Sequence, residues 1–352
     1  MTQAPVSKKK APSAAGEVTA SQLALFTTVI DSNFSNAIAM YDMMPKYVYQ
    51  KKTAFRESEL PPEKHVIERT FTARLGRETQ RCFLRIKPAM IMKEDSEGRP
   101  QRWYVYPGHR EYLVEEAIRK IAIENGGHLA DGRVGCRFSI RSVQRILADT
   151  GHQCKHSDII QAINVLNQCH MEYGFYEDNG RTKVSGRSAL FPEIYLRTRD
   201  EYRNGEAETA VRFHDMVNKS IRDQSFRNYD FLTCMTYRLP LSSYLHKRLS
   251  LRFTQADTTN YFSFHLLNLM GEGGFNLSPA LAKNIEQMKD ALEELKAADV
   301  VSTYEYDHLK DDKDRRKNVD AAFRIFVTER FVSQVIKINS HSKKIAAGLQ
   351  DD

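Results

Sequence analysis

A row of short polar side chains between positions 157 and 168 has the types and the spacing to read DNA bases. Ser157, Gln161, Asn164 and Gln168 recur three or four residues apart, so they share one face of a helix. Amide side chains form paired hydrogen bonds with adenine in the major groove, which is wide enough to admit a helix. The nearby acid is Asp158, in the first turn. The row therefore predicts a recognition helix for double-stranded DNA.

The elements that must position this row read as a helix-turn-helix. Ser139 is placed to cap a helix over residues 140–150, which Gly151 ends. After a turn at 152–155, Ser157 is placed to cap a second helix that carries the polar row. Both helices have an apolar stripe at helical spacing: Val143, Ile146 and Leu147 in the first, and Ile159, Ile163 and Leu166 in the second.

A β-hairpin is predicted to follow, with a tight turn at 178–180 between an extended run over 171–177 and a return strand. We expect Arg181 and Lys183 to contact DNA phosphates, with Arg187 also at the DNA-binding surface. A basic hairpin beside a polar recognition helix is the winged-helix arrangement. Any three-helix region presents a polar outer face, so the alternative for this segment alone is an ordinary solvated surface.

The same order of signals appears again near the C-terminus. Phe262 and Ser263 repeat the pair Phe138 and Ser139, and a short apolar helix over 264–270 follows, as one does after the first pair. This repetition predicts a second unit of the same kind, so the expected fold class is α+β, with tandem winged-helix domains and an N-terminal α/β extension.

The second unit is predicted to have its own recognition helix. Glycines within 271–274 break the chain, and Ser278 with Pro279 at the first helical position opens a helix that runs to about 298. Unpaired backbone N–H groups at its start favour phosphate. We place Ser278 at the DNA-binding surface and expect base contacts from three side chains: Lys283, Asn284 and Gln287.

The wing of the second unit is predicted as strands over 300–306 and 321–328 around a charged loop at 307–318. The loop holds five cations: Lys310, Lys313, Arg315, Arg316 and Lys317. Three acids offset much of this charge: Asp311, Asp312 and Asp314. The pattern fits a solvated loop and a DNA-contacting finger equally well.

Two further helices are predicted to open the units. The first, over 109–124, is expected to turn three cations outward: Arg110, Arg119 and Lys120. The second, over 240–252, is expected to leave Lys247 and Arg248 available to DNA phosphates.

The length of 352 residues and a hydrophobic content of 41% allow two or three cores. The predicted domains are a disordered arm at 1–20, a mixed helix and strand region at 21–104, winged-helix domains at 105–200 and 236–332, a basic linker at 201–235 and a tail at 333–352. The linker fits a DNA-contacting segment and a solvated helix equally well.

Composition and charge indicate an intracellular protein and suggest a polyanionic partner. A net charge of +7 indicates a polyanionic partner, although many basic proteins bind nothing acidic. Five cysteines without a repeated CxxC pair suit a reducing compartment. No apolar run approaches the roughly 18 residues of a membrane span, and no signal peptide follows the early lysines. We therefore expect a cytoplasmic protein without a membrane partner.

Catalytic chemistry has little support in the sequence. The histidines and cysteines at 152–170 match no zinc module in their spacing. No Walker loop or GxGxxG motif is present, and the glycines at 271–274 lack the Lys and Ser or Thr that would follow. We expect no metal, no cofactor and no enzymatic activity.

Two runs resemble bacterial replication initiators of plasmids and secondary chromosomes. The first is on the helix that opens unit one: Pro107, Gly108, Arg110, Glu111, Val114, Glu115, Ala117, Ile118, Arg119 and Lys120. The second, over 239–304, is similar to the C-terminal unit of TrfA-like initiators of broad-host-range plasmids. It has Leu269, Met270 and Gly271 ahead of a helix, Gln287, Ala291, Glu294 and Leu295 within it, and Val300 and Val301 in the next strand. The resemblance covers about 105–330.

This resemblance implies a tandem winged-helix protein that binds directly repeated sites, called iterons, at a plasmid origin. It also implies melting of the adjacent AT-rich duplex with the host initiator DnaA, and recruitment of the replicative helicase. Homodimers that repress copy number and a location on the plasmid or nucleoid are implied as well.

Two other functions would use the same residues. A winged-helix transcriptional repressor binds DNA without melting it, and an interaction protein would use the tandem units to bind other proteins. The neighbouring DNA discriminates between them. Repeats of roughly two helical turns beside an AT-rich tract indicate an origin, whereas a single palindrome indicates repression alone.

Overall fold

The structure, a computed structural model, describes residues 29–50, 52–61, 65–75, 78–94, 97–125, 127, 134–177, 179–196, 209–222 and 226–347. The arm predicted for residues 1–20 lies outside this part of the chain. Among the described residues, none of the helices combines the length and the apolar character that crossing a bilayer requires.

The helices of the described residues are α1 (Ala39–Met43), α2 (His109–Asn125), α3 (Ile140–Asp149), α4 (His156–Gln168), α5 (Asp215–Arg222), α6 (Phe231–Thr236), α7 (Pro240–Arg252), α8 (Leu266–Glu272), α9 (Leu281–Ala297) and α10 (Glu329–Ala347). The strands are β1 (Phe34–Ile38), β2 (Ala54–Arg56), β3 (Ile67–Leu75), β4 (Glu78–Lys87), β5 (Ala89–Glu94), β6 (Pro100–Val105), β7 (Gly135–Phe138), β8 (His170–Tyr176), β9 (Thr182–Ala189), β10 (Glu193–Tyr195), β11 (Thr209–Arg212), β12 (Phe226–Asp230), β13 (Tyr261–His265), β14 (Val301–Lys310) and β15 (Asn318–Val327).

The C-terminal unit, which we call unit two, runs from α7 to β15 and has the winged-helix arrangement that its sequence predicts. Helices α7, α8 and α9 share one apolar core with an antiparallel sheet in the order β13, β15, β14. The predicted stripe of α9 is buried in that core: Ile285, Met288, Leu292 and Leu295. The loop is shorter than predicted, because strand pairing continues to Lys310 and resumes at Asn318.

Unit one, from α2 to β9, has the predicted order of three helices and a hairpin, but its sheets differ from those of unit two. Strands β4 and β3 extend the hairpin into a four-stranded antiparallel sheet, in the order β3, β4, β8, β9. Strand β7 pairs with β11 instead of the hairpin. The wing of unit one is therefore one edge of a larger sheet.

Helix starts are predicted well in one case and poorly in two. Ser139 caps α3 as expected, because its Oγ accepts a hydrogen bond from the Ser142 N–H at 3.1 Å. Ser157 is not the cap of α4, because the cap is Lys155, two residues earlier, and its side chain makes no capping hydrogen bond. Likewise α9 begins at Leu281, beyond the predicted start at Ser278 and Pro279.

The segments predicted as linker and tail are built into the fold, so those two predictions are wrong. Within the predicted linker 201–235, β11 pairs with β7 and β10, and β12 pairs with β1. The boundary after 104 is also wrong, because β4 pairs with β8 across it. The predicted tail 333–352 contains most of α10, which buries an apolar row at helical spacing: Phe331, Val335 and Ile338.

A cluster of buried charges joins unit two to the N-terminal half. Lys247 of α7 lies with its Nζ 2.8 Å from Glu116 Oε1 of α2 and 3.6 Å from Asp42 Oδ1 of α1. Arg119 completes the cluster, with Nη1 2.6 Å from Asp42 Oδ1 and 3.3 Å from Glu116 Oε1. The four side chains are at most 6% exposed. Two carboxylates and two cations therefore balance inside the protein.

Mutual attraction keeps this cluster ionised. Burial alone would raise the pKa of the Asp42 carboxyl, but the charges of Arg119 and Lys247 outweigh burial and hold that pKa well below its usual range. The pKa of Glu116 is lowered in the same way, against burial, by Lys247 and Arg119. Burial also opposes the ammonium of Lys247, whose pKa the two carboxylates nevertheless raise. Each charge thus depends on its partners.

The prediction that Arg119 and Lys120 face outward is wrong, because the segment around β1 covers this side of α2. Arg119 donates a hydrogen bond to the Asn36 carbonyl at 2.7 Å, and Lys120 donates one to the Phe34 carbonyl at 2.9 Å. Of the three cations predicted to face outward from α2, Arg110 alone stays partly exposed, with 33% of its side chain accessible.

We expect Lys247→Met to lower the free energy of unfolding by about 3–5 kcal/mol, because it leaves two buried carboxylates with one cation. Lys52→Met is the matched control, because Lys52 and Glu59 form an exposed ion pair that water and salt screen. Urea unfolding measures both. Adding Glu116→Gln to Lys247→Met should restore part of the loss, and equal losses in the two Lys→Met variants would contradict this account.

Three buried histidines make stability depend on pH. His109, His214 and His246 have pKa values lowered to about 4, mainly by burial. In the unfolded chain a histidine has a pKa near 6.5, so between these values the unfolded state binds protons that the folded state does not. Stability is therefore fully present above about pH 6.5 and falls as the pH drops towards 4.

Urea unfolding between pH 7 and 5.5 should show this loss, with a slope that approaches about 1.4 kcal/mol per pH unit for each buried histidine. Carboxylates contribute little in that range. His246→Gln should lower the slope, because it removes one of the three buried histidines. An unchanged slope in His246→Gln would show that its burial does not control its protonation.

Candidate nucleic-acid interface

The start of α9 is held in shape by Asn284. Its Oδ1 accepts a hydrogen bond from the Ser278 N–H at 2.8 Å, and its Nδ2 donates to the Ser278 carbonyl at 2.9 Å. Asn284 is 1% exposed. The prediction that it contacts bases is therefore wrong, because its amide is used within unit two to fix the turn before the helix.

Lys283 and Gln287 are exposed near the start of α9, and neither side chain has a partner among the described residues. Three acids share the exposed side of the helix: Glu286, Asp290 and Glu293. Phosphates would be repelled along most of its length. The first turn of α9 is the part that suits DNA, because the N-terminus of a helix carries a partial positive charge.

The polar row of α4 is less open than its sequence predicts. Ser157 and Gln168 are exposed, but Gln161 and Asn164 are half-buried, because β5 packs against this helix. The amides of Gln161 and Asn164 make no hydrogen bond within the described part of the chain. They therefore keep their hydrogen-bonding capacity for a ligand.

One cleft is lined by residues from both predicted recognition helices. Its volume is about 880 Å³, and it is lined by Gln161 of α4, Ser278 ahead of α9 and Gln287 of α9. Apolar side chains of both halves also line it, including Tyr49 and Phe275, whose rings stack at 4.6 Å. The polar groups of the two units thus face a single space.

Two cations that line the cleft are not among the predicted DNA-binding residues. The guanidinium of Arg110 is fixed by Glu111, whose Oε1 accepts from Nε at 2.9 Å and from Nη2 at 2.7 Å. The ammonium of Lys93, on β5, lies 5.1 Å from the ring of Trp103. No local sequence signal relates either residue to the cleft, because both reach it through long-range packing.

The hairpin of unit one keeps two of its predicted cations available. Arg181 and Lys183 are exposed and form no ion pair within the described residues. Arg187 is 73% exposed, but its Nε lies 2.5 Å from an oxygen of Glu172, which also pairs with Arg85 at 2.7 Å. The charge of Arg187 is therefore shared with the sheet.

Lys247 and Arg248 are buried and paired with acids inside the protein, so the predicted contacts of both residues with DNA phosphates are wrong. Lys247 belongs to the buried cluster with Glu116. Arg248 is 8% exposed, with its Nη2 2.7 Å from Glu272 Oε2 and its Nη1 donating to the Tyr244 hydroxyl at 2.9 Å. Neighbouring elements cover these two side chains of α7, and each of them neutralises a buried acid.

No protein-family model matches this chain, and no curated protein sequence matches it. Three solved structures are similar to it. A crystal structure of domains 2 and 3 of RctB, a selenomethionine derivative, is 9% identical with a TM-score of 0.44 and covers 80% of this chain and 95% of that one. A second crystal structure of RctB domains 2–3 is 12% identical with a TM-score of 0.42, covering 82% and 96%. The Pi initiator protein in complex with iteron DNA is 13% identical with a TM-score of 0.42, covering 62% and 91%.

We expect Asn284→Ala to lower the free energy of unfolding by about 1–3 kcal/mol, because the Ser278 backbone loses both of its partners. The neighbouring Lys283→Ala should change it by less than about 0.5 kcal/mol, but should reduce the salt dependence of DNA binding by about one phosphate contact. Urea unfolding and DNA titrations at several salt concentrations measure these effects. A stable Asn284→Ala protein with altered base preference would contradict the structural role of Asn284.

Proposed function

We propose that this chain is a sequence-specific double-stranded DNA-binding protein that initiates replication at an origin. The observation that supports the proposal most is the convergence of Gln161, Ser278 and Gln287, from two winged-helix units, on one cleft. Amides without internal partners are suited to pair with base edges, and such contacts specify sequence.

Phosphate contacts are proposed to supply much of the affinity. Three exposed cations are placed to contact the duplex. Arg181 and Lys183 lie in the hairpin of unit one, and Lys283 lies in α9. Each neutralised phosphate releases counterions, so binding should weaken steeply with salt. The proposal involves no covalent step, and it requires neither a metal nor a cofactor.

The buried cluster at Lys247 holds the two units in a fixed relation, so binding by both units would deform the DNA. Because the two units are joined through paired charges that are costly to separate, the DNA has to adapt to the protein when both units engage it. Deforming a duplex costs free energy that depends on its sequence. Several copies bound on adjacent repeats would add their strain, which favours opening of a neighbouring AT-rich tract.

The finer parts of the proposal follow the sequence resemblance to plasmid and secondary-chromosome initiators. They are binding to iterons, cooperation with the host initiator DnaA, recruitment of the replicative helicase, and repression of copy number by a homodimer. In this role the protein is not an enzyme, and it works on the plasmid or nucleoid in the cytoplasm.

Footprinting of the purified protein on the DNA beside its own gene, with permanganate in the same lanes, tests this function. We expect regularly spaced protected repeats with reactive thymines next to them, because permanganate modifies unpaired thymines. One protected palindrome without reactive thymines would instead identify a transcriptional repressor. No protection at moderate salt would reject DNA binding and turn attention to a protein partner.

Gln161→Ala and Gln287→Ala should each relax base preference at one position of the protected site, at a cost of about 1–3 kcal/mol for the cognate base. Gln255→Ala, an exposed glutamine away from the cleft, is the matched control and should leave the preference unchanged. Competition titrations with single-base variants of the site measure this. An equal loss of affinity for every sequence would show that these amides do not read bases.

A further inference from the structure

The cleft between the two units has an apolar inner part that DNA binding leaves unexplained. Val48, Val105 and Leu241 line it and are at most 6% exposed. Leu239 and Phe275 line it as half-buried side chains. Base edges and phosphates are met mainly through polar contacts, so this apolar surface adds little to the recognition of a duplex.

A duplex can cover the mouth of this cleft but cannot enter it. A cube of 880 Å³ has an edge of about 10 Å, whereas a duplex is wider than its own major groove, which is about 12 Å across. The duplex can therefore meet only the exposed residues at the mouth, among them Asn276 and Gln287. Sites for small organic molecules have volumes of about 300–1,000 Å³, lie preferentially between domains and are mostly apolar. The inner part of the cleft has these properties.

Two cations on the N-terminal side of the cleft suit a negatively charged group. The Lys93 ammonium lies 5.1 Å from the ring of Trp103 and forms no ion pair within the described residues. Arg110 is partly exposed and is held by Glu111, whose Oε1 accepts from Arg110 and whose Oε2 accepts from a backbone N–H at 2.8 Å. The other acid of the lining, Asp290, is exposed on α9. An anion is therefore favoured on the side of Lys93 and Arg110.

A buried nitrogen in the same lining lacks a partner. His109 lines the cleft, and its Nδ1 is buried and makes no hydrogen bond within the described part of the chain. The ring is held by those of Tyr112 and His152, whose centroids lie 6.0 Å and 6.1 Å away. A buried polar atom without a hydrogen bond is costly, so a ligand that pairs with Nδ1 gains free energy there.

We propose that this cleft is an effector site for a small organic anion with an apolar body, and that its occupation opposes DNA binding. The apolar body packs on the inner side chains, and the anionic group lies on the side of Lys93 and Arg110. An occupied cleft withholds the amides of Gln161 and Gln287 from base edges and adds a negative charge that repels phosphates. By linkage, DNA lowers the affinity for the anion by the same factor. Only the effect on DNA rests on the proposed function.

The test uses the full chain and two fluorescent probes. One is 8-anilino-1-naphthalenesulfonate, an aromatic body with one sulfonate, and the other is N-phenyl-1-naphthylamine, the same body without the sulfonate. Trp103 is the single tryptophan of the chain, and it contacts Lys93 of the cleft. Its emission should therefore fall by energy transfer when a probe binds. We expect one molecule of the sulfonate probe to bind per chain, with saturation.

Lys93→Gln should weaken binding of the sulfonate probe about tenfold and change binding of the neutral probe by less than about twofold, because only the sulfonate loses a charged partner. The control Lys343→Gln, at an exposed lysine of α10, should change neither. Leu277→Glu, at the mouth, should weaken the sulfonate probe about fivefold by like-charge repulsion. Its control is Ile336→Glu, an exposed apolar position outside the cleft. None of the four side chains is buried, so thermal unfolding should be unchanged.

The effect on DNA is measured with a labelled duplex that carries the footprinted site. A concentration of the sulfonate probe that saturates the unaltered protein should weaken duplex binding about fivefold or more. The same concentration should have a smaller effect on Lys93→Gln, which binds less of the probe. The duplex should in turn release the probe from the unaltered protein.

The outcomes separate the claims. If the sulfonate probe does not saturate at one molecule per chain, or if Lys93→Gln weakens both probes equally, the effector site is overturned. If the probe binds as expected and duplex affinity is unchanged, the anion site stands and its opposition to DNA binding is overturned. If the duplex does not bind at low salt even without the probe, the proposed function is rejected and the probe titrations still decide the anion site.

Discussion

The contact of Lys247 with Glu116 and Asp42 is the interaction on which the relation between the two halves depends. An apolar interface would allow the halves to slide, because hydrophobic contacts are non-directional. A buried ammonium must instead stay within hydrogen-bond distance of its carboxylates, since an unpaired buried charge costs several kcal/mol. Around this point, Tyr49 stacks on Phe275, and Arg227 donates to the Ser250 carbonyl at 2.6 Å. Unit two is thus positioned by directional contacts.

The fixed relation between the two halves explains why residues of both units line one cleft. Gln161 and Gln287 are 126 positions apart in the sequence, from 161 to 287, yet both line one space. The buried ion pair of Lys247 on α7 with Glu116 on α2 helps to hold the two units in this relation. Two flexibly tethered units would each find a site independently. In the proposed function, two units locked together would instead select DNA by the distance and rotation between contacts, as well as by the bases. Specificity, deformation of the duplex and the cost of separating buried charges are therefore linked in the proposed mechanism.

The parts of the fold that are set by interactions between residues close in sequence could be predicted. The stripe of Ile285, Met288, Leu292 and Leu295 and the Ser139 cap follow from helical periodicity and local hydrogen bonding. Long-range pairing was not. The charged stretch of β12 has the composition of a linker, but in the structure it pairs with β1. Lys247 has the sequence context of a surface lysine, but in the structure it is buried against Glu116 of α2. Among the site residues, the amides of α4 could be chosen by their spacing, whereas Arg110 and Lys93 reach the cleft only through tertiary packing.

The most direct test of the central claim is to change the spacing between the two halves of the footprinted site. Duplexes with insertions of one to five base pairs between the halves would be titrated with the intact protein. If the charge cluster locks the units together, an insertion of about half a helical turn should reduce affinity to that of a single half-site, because the second unit then faces the wrong side of the duplex. Affinity that stays within about twofold across all insertions would show that the units move independently.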